Sequence, residues 1–266
     1  MINKVMPIFG KRAVSSGTLL LDLYPNAEVA YSLRYLRTAY IGSPVARVRR
    51  SSDNAELDFT PTEITDGTLT TWTGANDGRI TTWYDQSLNS INAVNSTPAE
   101  QPLIVSAGLL QLENGLPTMV FNSLEYLEAN VSLQPQPNTY FIVNKKTTAQ
   151  RYLFDSTSAT NRNTQGNSSW MFAGIVLSNV YPTIGSQVLI TMLFNDPLSS
   201  GWFNGALQNT GITGSQGLLG LRIGAAWNLS FGRLIGNVQE FIMYPTDQTS
   251  NRIGIETDIN NHFSIY

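Results

Sequence analysis

The sequence predicts an all-β sandwich with short peripheral helices and an N-terminal arm. Three observations carry this. Short runs rich in β-branched and aromatic residues recur from Val45 to Tyr244, with turn residues between them. Asn204-Gly205 separates Trp202-Phe203 from Ala206-Leu207, and Asn-Gly supplies the two positive φ angles of a type I′ hairpin. The chain has 266 residues, 42% of them hydrophobic, and all-β sandwiches of roughly 200–250 residues form one domain.

In chain order, residues 1–25 read as an arm, because their apolar residues follow no period and Gly10, Ser15, Ser16 and Gly17 loosen the backbone. The arm is expected to dock on a larger assembly or on neighbouring copies, since a bare arm is marginal on its own. Residues 26–266 form the sandwich domain. Val29, Leu33, Leu36 and Tyr40 recur at helical spacing and predict a helix over 27–40, ended by Gly42 and Pro44. Strands follow at Val45–Arg50, Arg79–Asp85, Thr118–Phe121, Thr139–Asn144, Tyr152–Asp155, Trp170–Leu177, Val188–Phe194, Ser200–Phe203, Ala206–Gln208, Leu219–Gly224 and Gly236–Tyr244. Ile255, Ile259 and Phe263 recur every four residues and predict a closing helix over 250–263.

Composition narrows the function. Charged residues are 13% of the chain, against about 25% in ordinary soluble domains. Thr, Ser, Asn and Gln carry the surface instead, which suits neutral, hydroxyl-rich ligands or further copies of the chain. The net charge of −3, with one short basic cluster at Arg47, Arg49 and Arg50, argues against nucleic acid as a partner. Cysteine is absent and His262 is the single histidine, so neither a disulfide framework nor a zinc site is expected. No apolar run approaches the ~20 residues of a membrane span. Lys4, Lys11 and Arg12 interrupt the N-terminal apolar residues, so synthesis without a secretory signal is expected.

Several segments resemble known families. Asn114-Gly115-Leu116-Pro117-Thr118-Met119-Val120-Phe121, Thr139-Tyr140-Phe141-Ile142-Val143, Trp202-Phe203-Asn204-Gly205, Leu221-Arg222-Ile223-Gly224 and Gly236–Tyr244 resemble, in order, the strands of concanavalin A-like and laminin G-like jelly-roll sandwiches. Tyr31-Ser32-Leu33-Arg34, Val48-Arg49-Arg50-Ser51-Ser52-Asp53 and Trp83-Tyr84-Asp85-Gln86-Ser87 resemble the α-L-arabinofuranosidase B catalytic domain, and the same cassette looks like one found in phage tail and spike proteins. The resemblance implies a virion spike or tail protein that binds a host surface glycan, contacts other virion proteins and forms a homo-oligomer, with a trimer favoured. Its alternatives are an active arabinofuranosidase-like hydrolase and a purely structural virion protein.

The motifs bear on chemistry. A retaining glycosidase needs two carboxyl groups about 5–5.5 Å apart. In the arabinofuranosidase family one catalytic Asp follows an Ile-Gly-Gly strand end, where Ile223-Gly224-Ala225-Ala226-Trp227-Asn228 offers no acid. The family's catalytic Glu lies after a Trp-containing strand, where Ser169–Ile175 offers none. The expectation is therefore a non-enzyme with no catalytic residue, no cofactor and no metal. Among other acids, Asp53, Glu56, Asp58, Asp85 and Glu240 remain; Asp85 is expected to pair with Arg49 or Arg50 or to cap a turn, and Glu240 to lie on the strand face of Val238 and Ile242 or, instead, at a rim paired with an arginine. Trp83 reads as core. A sugar site is expected where Trp227 and Asn228 meet Trp170 and the polar loop carrying Asn161, Arg162 and Asn163, an aromatic face beside hydrogen-bonding side chains.

Overall fold

The computed structural model describes residues 18–149, 151–166, 170–178, 184–230 and 232–266. Antiparallel strands stack in two layers. The back layer runs from Val29–Ser32 and Met119–Asn122, which share one partner, through Ile235–Tyr244, Asn138–Lys146, Val188–Phe194 and Ser199–Phe203 to Ala206–Gly211. The front layer runs from Glu56–Phe59 through Ala46–Arg50, Gly78–Trp83, Ala93–Val94, Leu127–Ala129, Leu221–Ile223, Phe154–Asp155 and Thr164–Gly166 to Trp170–Phe172 and Val176–Leu177. Leu103–Ser106 pairs with a strand of each and joins the layers. The sandwich predicted from the sequence is the one observed.

Alternation of side chains builds the core between the layers. Tyr140, Ile142, Phe241 and Met243 come from the back; Ile80, Trp83, Leu127, Phe154 and Ile223 come from the front. Ring pairs cross the gap, with Tyr140 4.7 Å from Phe154 and Tyr31 5.5 Å from Trp83. The other side of the back layer is also covered. Phe141, Val143, Ile242 and Tyr244 pack against Leu20 and Leu21 of the short helix Leu20–Leu23 and against Ile255, Ile259 and Phe263 of the helix Arg252–Phe263. Within the N-terminal arm, residues 18–25 thus lie on the chain's own back layer, while residues 1–17 lie outside the described residues.

One prediction is corrected. Residues 27–40 hold no α-helix; they form the strand Val29–Ser32 and a 3-10 turn at Thr38–Tyr40. Asn26 takes φ 70° and turns the chain into register with Ile235–Tyr244, from Val29 against Met243 to Ser32 against Glu240. Val29 and Tyr31 enter the sandwich core and Ala30 the second core. A strand buried on both faces loses the apolar–polar alternation that would mark it. The Asn204-Gly205 hairpin forms as expected, with φ values of 49° and 77°.

The inward-facing row of Tyr140 and Ile142 continues into Asn144 and Lys146. Lys146 is 2% exposed, and its Nζ donates to the Arg151 carbonyl at 3.1 Å and to Gln165 Oε1 at 2.5 Å. Burial pushes its pKa from 10.5 down to about 7. Between those values the unfolded chain binds more protons than the folded one, so stability rises with pH across that window. Lys146→Met removes this penalty but orphans the Gln165 oxygen; a net gain on the order of 3 kcal/mol at pH 7 is expected. The gain should shrink by up to about 1.4 kcal/mol per pH unit toward pH 10. Urea unfolding of both proteins at pH 7, 8 and 9 measures it, and a pH-independent difference would contradict the assignment.

Candidate functional site

Of the three central strands of the front layer, two set a charged side chain between apolar ones, and the third sets Asp155 between Phe154 and Ser156. Leu127, Ala129, Leu221, Ile223 and Phe154 enter the core. Glu128, Arg222 and Asp155 consequently face outward. Register aligns them, with Glu128 opposite Arg222 and Arg222 opposite Asp155. The result is a carboxylate–guanidinium–carboxylate row across three strands. In a chain with so few charges, such a row is a concentration of chemistry.

Arg222 is the hub. Its Nη2 donates to Glu128 Oε2 at 2.6 Å, and its Nη1 donates to the carbonyls of Ala226, at 3.0 Å, and of Trp227. Its guanidinium lies 5.5 Å from the Tyr126 ring, and Arg233 lies at the same distance from that ring. Arg233 Nη1 donates to Glu100 Oε1 at 2.9 Å. Tyr126 is therefore held between two guanidiniums, each carrying a carboxylate. Burial, then the charges of Glu100 and Glu128, raise the Tyr126 hydroxyl above its usual pKa, and the two arginines oppose them. The side chains of Glu128 and Glu100 are 42% and 24% exposed, enough to meet a ligand.

Asp155 is different, because it is fully buried. It accepts from Arg162 Nε and Nη2 at 3.1 and 2.5 Å, from the Ser156 amide at 2.8 Å and from the Trp227 amide at 3.1 Å. Burial raises its pKa, and Arg162 opposes that shift. Arg162 also lies 5.0 Å over the Phe172 ring.

These contacts place the residues singled out in the sequence. Arg162 and Trp227 meet at Asp155, and Trp227 is half-buried. Asn228 is exposed, with its Oδ1 accepting from the Ser230 amide at 3.2 Å. Asn163 faces the interior, where it donates to the Gln216 carbonyl at 2.8 Å and accepts from the Tyr140 hydroxyl at 3.3 Å. Asn161 accepts the Leu219 amide on its carbonyl at 3.3 Å. Trp170 begins the strand Trp170–Phe172, and its side chain lies outside the described residues. Ala225 and Ala226 are buried behind Gly224, whose φ of +89° turns the chain; a Cβ there would stand 2.6 Å from the Phe121 ring.

The acids named from sequence lie elsewhere. Asp53 pairs with Arg50 at 2.7 Å, Glu56 is exposed on an edge strand, and Asp58 accepts from Arg47 and from the Tyr84 hydroxyl, both at 2.7 Å. Asp85 organises a turn, accepting from the Ala30 amide at 2.9 Å, from Ser87 and from the Ile91 amide at 3.1 Å. Arg49 donates to Gln101 instead of Asp85. Glu240 is fully buried rather than at a rim. Glu100, Tyr126, Glu128 and Asp155 lie outside the motifs of the sequence; the signal available there is an outward-facing charge inside an apolar alternation, as in Leu127-Glu128-Ala129. Among the described residues no group of three or more His, Cys, Asp or Glu gathers to hold a metal ion, and no helix is long and apolar enough to cross a membrane.

No family model and no curated protein matches the sequence. The fold does match solved structures. A GH54 α-L-arabinofuranosidase soaked with a cyclic sulfate inhibitor superposes with a TM-score of 0.63 at 16% identity, over 88% of this chain and 62% of that one. An arabinofuranosidase complexed with arabinofuranosyl-alpha-1,2-xylobiose gives the same values. A mutant of the GH54 enzyme soaked with 4-nitrophenyl α-L-arabinofuranoside gives a TM-score of 0.64 at 15% identity, over the same shares of the two chains. The chain thus spans less than two thirds of these enzymes, and what it shares with them is the β-sandwich fold. This corrects the expectation of a non-enzymatic phage attachment module. The three solved structures named above are of arabinofuranosidases, and the missing acids of the two motifs do not exhaust the carboxylates on the front layer.

Proposed function

We propose that this domain is a glycoside hydrolase of concanavalin A-like architecture acting on furanosyl, arabinofuranoside-like residues. The observation that carries the reading is the pair of partly exposed carboxylates, Glu100 and Glu128, set about the Tyr126 ring on the front layer of a glycosidase-type sandwich. Glycoside hydrolysis uses two carboxyl groups. One gives a proton to the departing oxygen, and the other activates water or attacks the anomeric carbon. Arg222 and Arg233 hold the two carboxylates in place. Trp227, half-buried and anchored to the row through its backbone, offers a face on which a sugar ring stacks, with Asn228 and Arg162 beside it. Asn161 is a further polar contact of that loop.

The test is turnover of 4-nitrophenyl α-L-arabinofuranoside and release of arabinose from arabinoxylan. Saturable hydrolysis of both substrates by the wild-type protein, with arabinose release from arabinoxylan lost in both Glu100→Gln and Glu128→Gln, is the expected outcome. The two roles separate by leaving group, because the variant lacking the acid retains activity on the activated aryl substrate and loses it on the polysaccharide. Binding without turnover would overturn the reading.

A further inference from the structure

We infer that Asp155 is a positioning residue that holds the Trp227 platform in a set place relative to Glu128, and that it does so by locking two loops to one buried carboxylate. The inference rests on the glycosidase reading for its consequence but on separate contacts for its geometry. The Trp227 peptide is held at both ends. Its amide donates to Asp155 Oδ2 at 3.1 Å, and its carbonyl accepts from Arg222 Nη1. Asp155 and Arg222 are register partners on adjacent strands, and Arg222 is in turn the partner of Glu128. The backbone of the aromatic residue is thus tied, through two charged side chains on rigid strands, to the exposed carboxylate.

The second loop is tied to the same group. Arg162 reaches both Asp155 oxygens and stacks over Phe172, on the strand beyond. Its amide accepts a further restraint by donating to Gln216 Oε1 at 3.2 Å. Asp155 itself is fully buried, so it does not touch a ligand. Among the described residues, its side-chain hydrogen bonds go to groups of the two loops, 156–162 and 224–230. Short loops on a sheet drift unless their backbone is bonded to the scaffold, and a displacement of about 1 Å in a positioning group costs up to about 100-fold in rate. A carboxylate that takes the Trp227 amide and the Arg162 fork together couples the two walls of the site, so a substrate that orders one loop orders both.

Two variants test this. Asp155→Asn keeps the shape and loses the charge. Asp155→Leu combined with Arg162→Met removes both partners together, so no buried charge is left unpaired. Hydrogen exchange of the peptides covering 156–162 and 224–230 is followed against that covering 138–143. Faster exchange by about tenfold in both loops, with the core peptide unchanged, is expected. On arabinofuranoside, KM of Asp155→Asn, in which Arg162, Glu128 and Arg222 are all kept, should rise about tenfold or more while kcat changes much less. Unchanged exchange in both variants overturns the inference. So does loosened exchange with unchanged KM, or loss of the fold in both, which would assign Asp155 to stability alone. If the wild-type protein hydrolyses nothing, that failure belongs to the glycosidase reading. The loop exchange, repeated with and without an arabinofuranosyl oligosaccharide, then decides the positioning role: joint protection of both loops in wild type and its loss in Asp155→Asn supports it, and independent behaviour of the loops overturns it.

Discussion

Glu128→Gln is expected to lower turnover of a furanosyl substrate by about 10²–10⁴-fold, the range in which a positioned acid or base acts. The side chain sits outward on the strand Leu127–Ala129, bonded to Arg222 at 2.6 and 3.1 Å. Glutamine keeps the size and one accepting oxygen, so the strand and a hydrogen bond from the Arg222 guanidinium persist. It cannot take or give a proton at the reacting bond. Because the side chain is 42% exposed, the ion pair is largely screened, and the melting temperature should move little. Kinetics and thermal unfolding on the same sample separate the two effects. A full loss of activity with intact folding supports the assignment, and wild-type turnover in Glu128→Gln removes Glu128 from the chemistry.

Arg34→Met is expected to destabilise the fold by about 3–5 kcal/mol, the usual cost of stranding one half of a buried ion pair. Arg34 donates to Glu240 at 2.8 and 3.1 Å and reaches Asp258 at 3.0 Å. Glu240 also accepts from the Ser32 hydroxyl at 2.8 Å and is fully buried between the back layer and the helix Arg252–Phe263. Without the guanidinium, a charged, fully buried Glu240 loses the arginine that pairs with it and must be protonated or exposed. Burial and the paired carboxylates act in opposite directions on Arg34, and the carboxylates prevail, holding its pKa above the ordinary arginine value. Denaturant titration gives the loss directly. Adding Glu240→Leu to Arg34→Met should recover most of it, because no charge then remains unpaired. Equal instability of the single and double variants would show that packing of the arginine stem, not the charge, matters there.

Both predictions turn on residues whose importance was unevenly legible. Glu240 stands in the sequence as an acid on the strand face of Val238 and Ile242, with a rim position beside an arginine as the alternative, and the sequence does not decide its full burial. That depended on the second core formed when Arg252–Phe263 covers the back layer. Asp85 was expected either to meet an arginine or to cap a turn. It does the latter, because its strand end faces the backbone of Val29–Ser32 rather than Arg49, and that strand was hidden behind a helical period. Glu128 and Asp155 were passed over for a related reason. The two motifs cover only the stretches Ser169–Ile175 and Ile223–Asn228, while the observed carboxylates stand on neighbouring strands.

What the sequence determined by itself is local. The hairpin at Asn204-Gly205 follows from residues able to take positive φ, the strands from alternation within short windows, and the closing helix from Ile255, Ile259 and Phe263 at fixed spacing. These preferences act over a few residues and need no partner. Tertiary structure alone decided which faces are covered and which side chains meet across strands. Val29–Ser32 became a strand because Ile235–Tyr244 offered it hydrogen bonds and both its faces found apolar cover. The row of Glu128, Arg222 and Asp155 joins residues far apart in the chain, and strand register, not spacing along the sequence, sets them side by side.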